Sequence, residues 1–169
     1  HYASSIMLSL LILVSVLPAH AEKRVALVIG NSAYASSPLK NPVNDATDMA
    51  AALEKLGFSV ILDTDATRKE MFRAIEDFSA QLTGADAALF YFAGHGVQLN
   101  GENYLIPLGT QVQMATDVES EAVAASRVLA RMEASGARTN IIILDACRNN
   151  PFRGLFRSDQ SGLAPMQDM

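Results

Sequence analysis

The stretch IIILDACR, residues 141–148, decides the fold. Four large aliphatic residues run directly into an acid and the only cysteine of the chain. A short, continuous apolar run of this kind is typical of a strand that is buried on both faces of a sheet. A second stretch, AALFYF at residues 87–92, has the same design and is followed by AGHG at residues 93–96. The sequence therefore predicts two buried strands, one ending near Cys147 and the other near His95.

Strand-like and helix-like segments alternate along the rest of the chain. The predicted elements are a strand at 24–31, a helix at 44–56, a strand at 58–62, a helix at 67–82 that opens with a capping box, and a helix at 126–135. The alternating residues 97–106 surround Asn100-Gly101, which predicts a hairpin. This order favours a mostly parallel sheet with right-handed crossovers and helices on both faces, an α/β fold.

Composition excludes several functional classes. With 169 residues, of which 50% are hydrophobic and 18% charged, the chain is long enough for one globular domain with a sizeable core. A net charge of -5 without a basic run argues against a nucleic-acid partner. A single cysteine excludes an internal disulfide, and His1, His20 and His95 do not have zinc-ligand spacing. We therefore expect neither nucleic acid nor a structural metal.

Residues 1–21 have the pattern of a secretory signal. An apolar run at 6–17 is followed by Pro18 and by AHA at 19–21, which predicts cleavage before Glu22. A dozen apolar residues fall short of the roughly 20 that span a bilayer, so an uncleaved anchor is the weaker interpretation. We expect export to the periplasm or the extracellular space, with the membrane contacted only transiently through this segment.

The lone cysteine has two interpretations. Free cysteines are most often buried as small hydrophobic residues. At Cys147, however, the chain turns polar, and His95 lies between two glycines, which suits close backbone approach. The carboxyl ends of parallel strands share one edge of the sheet, where α/β folds bind their ligands. A thiol beside an imidazole there is the arrangement of an activated nucleophile and its base, so we predict a Cys147–His95 dyad.

Two motifs resemble a known family. YFAGHG at 91–96 and DACRNNPF at 145–152 are similar to the histidine and cysteine motifs of the caspase-like cysteine peptidases, most closely the bacterial metacaspase-like proteins called orthocaspases. Residues 25–31 and 39–46 resemble the family's first strand and the loop after it. His95 precedes Cys147 by 52 positions, close to the separation in caspases. The resemblance implies a caspase-like three-layer sandwich. Together with the signal pattern, it divides the chain into a signal peptide at 1–21, the large catalytic domain at 22–165 and a tail at 166–169.

The resemblance also implies roles for individual residues. The backbone N–H groups of Gly96 and Cys147 would bind the oxyanion, and Asp45 and Asp145 would line a P1 pocket for Arg or Lys. Ala93 stands where metacaspases commonly have Ser. Alternatively, Asp45 is an acid favoured by a helix N-terminus and Asp145 a hydrogen-bonded turn residue. The implied function is a cysteine endopeptidase that cleaves protein or peptide substrates after Arg or Lys.

Calcium activates many metacaspases, so the resemblance raises the question of a cation site among the acidic residues. Asp117, Glu119 and Glu121 form the only acidic cluster of the sequence. Alternating acids before a helix are more typical of a solvated face than of a cation site. We therefore predict no metal and no cofactor, and the sequence does not support calcium.

The end of the chain carries a further expectation. Only four main strands can be counted, whereas the resemblance implies six, so we expect that C-terminal strands are missing through truncation or processing. Arg153 and Arg157 lie in a linker containing Gly and Ser, where an Arg-specific enzyme would cut itself. We expect the 169-residue chain alone to be weakly active or inactive, and a longer chain that carries the missing strands to be active.

Two other functions fit the same motifs. One is a non-catalytic caspase-like module that binds partners through the crevice, and the other is a thiol-dependent hydrolase of small esters or amides. The presence of both His95 and Cys147 favours the peptidase.

Overall fold

The computed structural model describes residues 21–147. The predicted signal segment, apart from Ala21, lies outside this range, as do the predicted self-cleavage positions Arg153 and Arg157 and the predicted tail at 166–169. Within residues 21–147, none of the helices combines the length and the apolar character needed to span a membrane.

The chain alternates between strands and helices. In order the elements are β1 (Arg24–Gly30), α1 (Pro42–Lys55), β2 (Phe58–Thr64), α2 (Arg68–Gln81), β3 (Ala87–Leu99), β4 (Glu102–Leu105), α3 (Ala115–Glu121), β5 (Val123–Ala124), α4 (Ala125–Ala134) and β6 (Thr139–Cys147). Every predicted element is present to within a few residues, including the capping box of α2, in which Glu70 accepts the Thr67 backbone N–H at 2.8 Å. Helix α3 and the two-residue strand β5 are additions.

The central sheet confirms the predicted α/β class. Strands β2, β1, β3 and β6 are parallel neighbours in that order, and β4 and β5 extend the sheet in antiparallel pairing beyond the end of the parallel part. Helices cover both faces: α1 packs on β1, β2 and β3, while α2 and α4 pack on the other side. The molecule is therefore a three-layer sandwich built on a mostly parallel sheet.

Aromatic side chains fill the layer between the sheet and α2. Phe90 and Phe92 of β3 and Phe78 of α2 are completely buried in one cluster, together with Met132 of α4. Full burial of a side chain of this size contributes roughly 1.5–3 kcal/mol. Successive strand residues face opposite sides, so the intervening Tyr91 and its neighbours on β3 face α1 instead.

The α1 layer is thinner because small residues line it. Ala46 and Ala50 of α1 pack directly on the sheet. A Cβ atom at Gly30 would lie 2.4 Å from the Pro42 carbonyl oxygen, so the first turn of α1 needs glycine at the end of β1. This close approach brings Asp45, in the first turn of α1, to the carboxyl edge of the parallel strands.

Strand β3 does not end near His95, and that expectation is wrong. It continues to Leu99. Strand β1 pairs along one side of it as far as Ala93 and β6 along the other side as far as His95, and β4 pairs with residues 96–99 on the side where β1 ends. The β3–β4 hairpin confirms the predicted Asn100-Gly101 turn, in which both residues have positive φ, 53° and 84°. His95 thus lies where the parallel sheet ends and the hairpin begins.

Strand β6 is less buried than its apolar sequence predicts. Ile141 and Ile143 are each 37% exposed on the face of the sheet that α1 shields at the other parallel strands. Among residues 21–147, α1 packs on β1, β2 and β3, which leaves this face of β6 open to solvent. The expectation of burial on both faces is therefore wrong for the described part of the chain.

Candidate active site

His95 and Cys147 are brought side by side by the sheet. They are register partners on the adjacent parallel strands β3 and β6, and neighbouring strands lie about 4.8 Å apart. The His95 residue is only 3% exposed. The backbone therefore places the predicted thiol position directly beside the predicted base, at the carboxyl edge of the sheet.

A backbone carbonyl fixes the protonation pattern of the imidazole. Nε2 of His95 lies 2.7 Å from the carbonyl oxygen of Ser37. A carbonyl oxygen only accepts hydrogen bonds, so Nε2 carries the proton and Nδ1 of the neutral ring is the basic nitrogen. Nδ1 is buried and has no hydrogen-bond partner among residues 21–146. The ring is thus oriented with Nδ1 available to accept a proton.

The loop that carries Ser37 is anchored at its beginning. Buried Asn31 accepts the Ala66 N–H at 2.9 Å through Oδ1 and donates to the Ala66 carbonyl at 3.2 Å through Nδ2. The carboxylate of Asp65 accepts the backbone N–H groups of Ser32 and Ala33, at 2.7 and 2.9 Å. The loop after β1 is therefore tied to the connection between β2 and α2, which gives the Ser37 carbonyl a defined position.

A cavity of about 140 Å³ adjoins His95 on the side of this loop. Its walls are residues 34–37, His95, Ile106, Pro107 and residues 109–111. These walls contain hydroxyl and amide groups but no acidic or basic side chain apart from the imidazole. The cavity therefore borders His95 with an uncharged, partly polar surface.

Gly96 has the orientation that an oxyanion donor needs. The backbone N–H and C=O of His95 point toward β4, because the Ile106 N–H donates to the His95 carbonyl at 3.0 Å. Backbone groups of successive strand residues alternate between the two sides of the strand. The Gly96 N–H therefore points away from β4, to the side on which β6 and Cys147 lie. Its role as a donor stays a prediction.

Asp45 and Asp145 converge on Tyr91. Asp145 pairs in register with Ala93, and its Oδ2 accepts a long hydrogen bond from the Tyr91 hydroxyl, at 3.4 Å. Burial, followed by the negative charges of Asp145 and Asp45, raises the pKa of Tyr91 to about 12. The phenol is therefore protonated and can donate at neutral pH. Both carboxylates belong to exposed residues, so a cationic group can reach them from solvent.

Sequence reasoning missed Tyr91 and Ser37. The signal for Tyr91 was a hydroxyl inside an otherwise apolar run, at a position that faces the same side of β3 as Ala93 and His95. Ser37 left no signal, because its contact is made by a backbone carbonyl that any residue supplies. Asn31 could have been found as a polar residue directly after a buried strand.

The three residues of the acidic cluster, Asp117, Glu119 and Glu121, belong to helix α3, and Asp117 lies in its first turn. The carboxylate of Asp117 accepts the N–H groups of Gln113 and Met114, at 2.9 and 2.8 Å, and so caps the N-terminus of α3. Glu119 and Glu121 are exposed along the helix, which agrees with a solvated face. In the described part of the chain, no three His, Cys, Asp or Glu side chains lie where they could share one metal ion.

The fold and motifs match known proteins. Residues 23–167 match the family model of the caspase domain, peptidase family C14. The mucosa-associated lymphoid tissue lymphoma translocation protein 1 of Homo sapiens and its Mus musculus homolog are each 31% identical over 150 residues, 88% of this chain. The chain spans only 17% of the length of these two curated relatives.

Solved structures support the same assignment at the level of the fold. The Drosophila initiator caspase Dronc superposes with a TM-score of 0.58 at 10% identity, over 75% of this chain and 49% of that chain. A Geobacter sulfurreducens protein superposes with a TM-score of 0.58 at 20% identity, over 76% of this chain and 52% of that chain. Since the family model covers nearly the whole sequence and the curated relatives exceed 30% identity, the chain belongs to the caspase-domain family of peptidases.

Proposed function

We propose that this protein is a cysteine endopeptidase in which Cys147 is the nucleophile and His95 the general acid and base. The observation that carries the proposal is the pairing of His95 with Cys147 across β3 and β6, with the proton of the imidazole held on Nε2 by Ser37. That arrangement leaves Nδ1 to exchange protons with the thiol and with the leaving amine.

The proposed reaction has two halves. First, Nδ1 of His95 takes the thiol proton, and the sulfur attacks the peptide carbonyl carbon, giving an oxyanion that the N–H groups of Gly96 and Cys147 stabilise. The C–N bond then breaks, the amine leaves with the proton from Nδ1, and a thioester remains. In the second half, a water molecule gives a proton to Nδ1 and attacks the thioester. The C–S bond breaks, the acid product leaves, and the thiol recovers its proton.

The proposed specificity is for Arg or Lys at P1. The support is that the negative charges of Asp145 and Asp45 both raise the pKa of Tyr91, and that Asp145 lies two residues before Cys147 on β6. Ala93, the register partner of Asp145, adds no polar group to this site. A guanidinium or ammonium group would pair with these carboxylates, whereas an acidic side chain would be repelled. Proteins or peptides with a basic P1 residue are the proposed substrates.

The test of the proposed activity is hydrolysis of a peptide amide with Arg at P1, measured for the wild-type protein beside Cys147→Ala. Hydrolysis by the wild type alone supports the dyad. Equal rates for the two proteins would remove Cys147 from the mechanism, and no hydrolysis by either, with the substrate bound, would favour a non-catalytic interaction module.

We also propose that the protein cuts itself after Arg153 or Arg157. Both arginines follow Cys147 closely in a linker containing Gly and Ser, and both fit the proposed P1 pocket. Wild-type protein added to the inactive Cys147→Ala chain should release a fragment that ends at one of these residues, as judged by mass spectrometry. The double replacement Arg153→Gln with Arg157→Gln should stop the cut.

A matched control separates self-cleavage from general digestion. Arg138 is also an arginine, but it forms an ion pair with Asp86 and lies just before β6. Arg138→Gln should leave the fragment pattern unchanged. Cutting elsewhere in the chain, or an intact linker in the presence of demonstrably active enzyme, would show that this proposal is wrong.

We further propose that the protein is exported from the cytosol through residues 1–21. The support is the apolar run before AHA at 19–21. An exported protein should begin at Glu22, which N-terminal sequencing of the secreted material can determine.

A further inference from the structure

The hydroxyl of Tyr34 lies inside the hydrogen-bonding ladder at His95. His95 and Ile106 face each other across β3 and the end of β4, and the Ile106 N–H donates directly to the His95 carbonyl at 3.0 Å. The reciprocal bond is not direct. The Tyr34 hydroxyl accepts the His95 N–H at 3.0 Å and donates to the Ile106 carbonyl at 2.8 Å.

This insertion sets the position of the His95 backbone. A regular antiparallel pair of this type exchanges two direct bonds, and here one of the two passes through a side-chain oxygen. The hydroxyl therefore holds the backbone segments of His95 and Ile106 further apart on one side of His95 than a direct hydrogen bond would. It acts between the end of β1, at Ala93 of β3, and the beginning of the pairing with β4, at Gly96.

The ring of Tyr34 also contacts the imidazole. The ring centroids of Tyr34 and His95 are 4.4 Å apart at an interplanar angle of 52°, and both residues are nearly inaccessible to solvent. Gly94 permits this approach, because a Cβ atom there would lie 2.7 Å from the Tyr34 hydroxyl oxygen and 2.8 Å from the Phe92 ring. The packed ring of Tyr34 therefore restricts the rotation of the imidazole.

Tyr34 belongs to the loop that carries the hydrogen-bond acceptor of the imidazole. Ser37, whose carbonyl accepts a hydrogen bond from Nε2, lies three residues after Tyr34. The Tyr34 N–H itself donates to the Ser32 carbonyl at 2.9 Å. One residue thus contacts the backbone of His95, packs on its ring and anchors the segment that fixes its tautomer.

We infer that Tyr34 is a positioning residue for His95, holding Nδ1 where it can exchange a proton with the thiol at position 147. The inference rests on the proposed function for its catalytic consequence, but its structural content concerns His95 alone. Tyr34 does not touch the reacting atoms. Its removal should misplace the base without changing the substrate pocket, so the rate of the chemical step should fall while substrate binding is retained.

The test compares Tyr34→Phe with Tyr104→Phe. Both variants remove one phenolic hydroxyl from the same hydrophobic cluster, but Tyr104 lies near Glu102 and Glu119 instead of against His95. For Tyr34→Phe we expect kcat per folded molecule to fall about tenfold to a hundredfold with KM unchanged, the effect of a small misplacement of a catalytic group. Tyr104→Phe should match the wild type. Equal kinetics for the two variants would overturn the inference.

A second readout does not depend on activity, and its wild-type half does not depend on the folding of any variant. ¹⁵N NMR of the histidine side chains in the wild-type protein should show His95 as the single Nε2–H tautomer, with the Nε2 proton protected from exchange. In folded Tyr34→Phe the same resonance should shift and exchange faster. An Nδ1–H tautomer in the wild type, or an unchanged resonance in the folded variant, would contradict the inference. A wild-type protein that shows the predicted resonance but cleaves no peptide would instead count against the proposed function.

Discussion

Replacement of Cys147 by Ala should reduce peptide hydrolysis to background, a loss of about 10⁴-fold or more in kcat, because no other group can form the thioester. His95→Ala should lower kcat by about 10²–10⁴-fold, the usual contribution of a general base. The double variant should be no worse than Cys147→Ala alone, since the two side chains act on one proton. The measurement is kcat for a fluorogenic peptide amide with Arg at P1.

Two controls distinguish loss of catalysis from loss of the fold. Far-ultraviolet circular dichroism and thermal melting should give the same fold for each variant as for the wild type. Cys147→Ser keeps the size and hydrogen-bonding capacity of the side chain but replaces the thiol with a much weaker nucleophile, so it should be almost as inactive as Cys147→Ala. Near-normal turnover by a folded His95→Ala protein would remove His95 from the mechanism.

Substrates with Arg at P1 should be cleaved at least about 10³-fold faster, in kcat/KM, than the same peptides with Asp at P1. The reason is electrostatic: Asp45 and Asp145 pair with a basic side chain and repel an acidic one. Asp145→Asn should lower kcat/KM for Arg substrates by about 10²-fold, because a charge pair is lost at the centre of the pocket. The measurement is a peptide panel that differs only at P1.

Asp48→Asn is the matched control for this prediction. Asp48 lies in α1 three residues after Asp45, is exposed, and loses the same charge on replacement. Its substitution tests whether a general change in the negative potential is sufficient, and kcat/KM should stay within about twofold of the wild type, since an exposed charge away from the pocket is screened by solvent. Equal turnover of Arg and Asp peptides, or an equal loss from Asp48→Asn and Asp145→Asn, would contradict the pocket assignment.

The elements of the fold were predictable because their patterns are local. The capping box at Thr67 and Glu70, the Asn100-Gly101 turn and the apolar runs of β3 and β6 each carry their signal within a few residues. Helix α3 was missed because its N-cap is Met114, which is outside the usual capping residues, and the cap is made instead by the carboxylate of Asp117.

The change of partner along β3 was not predictable from local pattern. Residues 87–99 form one continuous strand, and nothing in their composition marks the point at which β1 gives way to β4 along one side of it. At this point a side chain from a distant loop enters: the Tyr34 hydroxyl bridges the backbones of His95 and Ile106. Contacts of this kind join residues about 60–70 positions apart, and single-sequence reasoning does not reach that far.

The candidate site was predicted only in part, because local patterns reveal which residues follow strand ends but not how distant contacts orient them. His95, Cys147, Asp45 and Asp145 follow strand ends or open a helix, and strand ends are where α/β sheets gather their functional groups. The orientation of His95 was out of reach, since it depends on the Ser37 backbone carbonyl. Tyr91 was missed because it lies within an apolar run, although its hydroxyl donates a hydrogen bond to Asp145.

Covalent trapping of the nucleophile tests the central claim most directly. A peptide with Arg at P1 and a thiol-reactive electrophile at the scissile position should add once to the wild-type protein, and fragmentation mass spectrometry should place the adduct on Cys147. Excess Arg-containing peptide should slow the addition, and His95→Ala should slow it further, because the thiolate is no longer generated by its base. An adduct that forms at the same rate in folded His95→Ala and without competition from the Arg peptide would contradict the account.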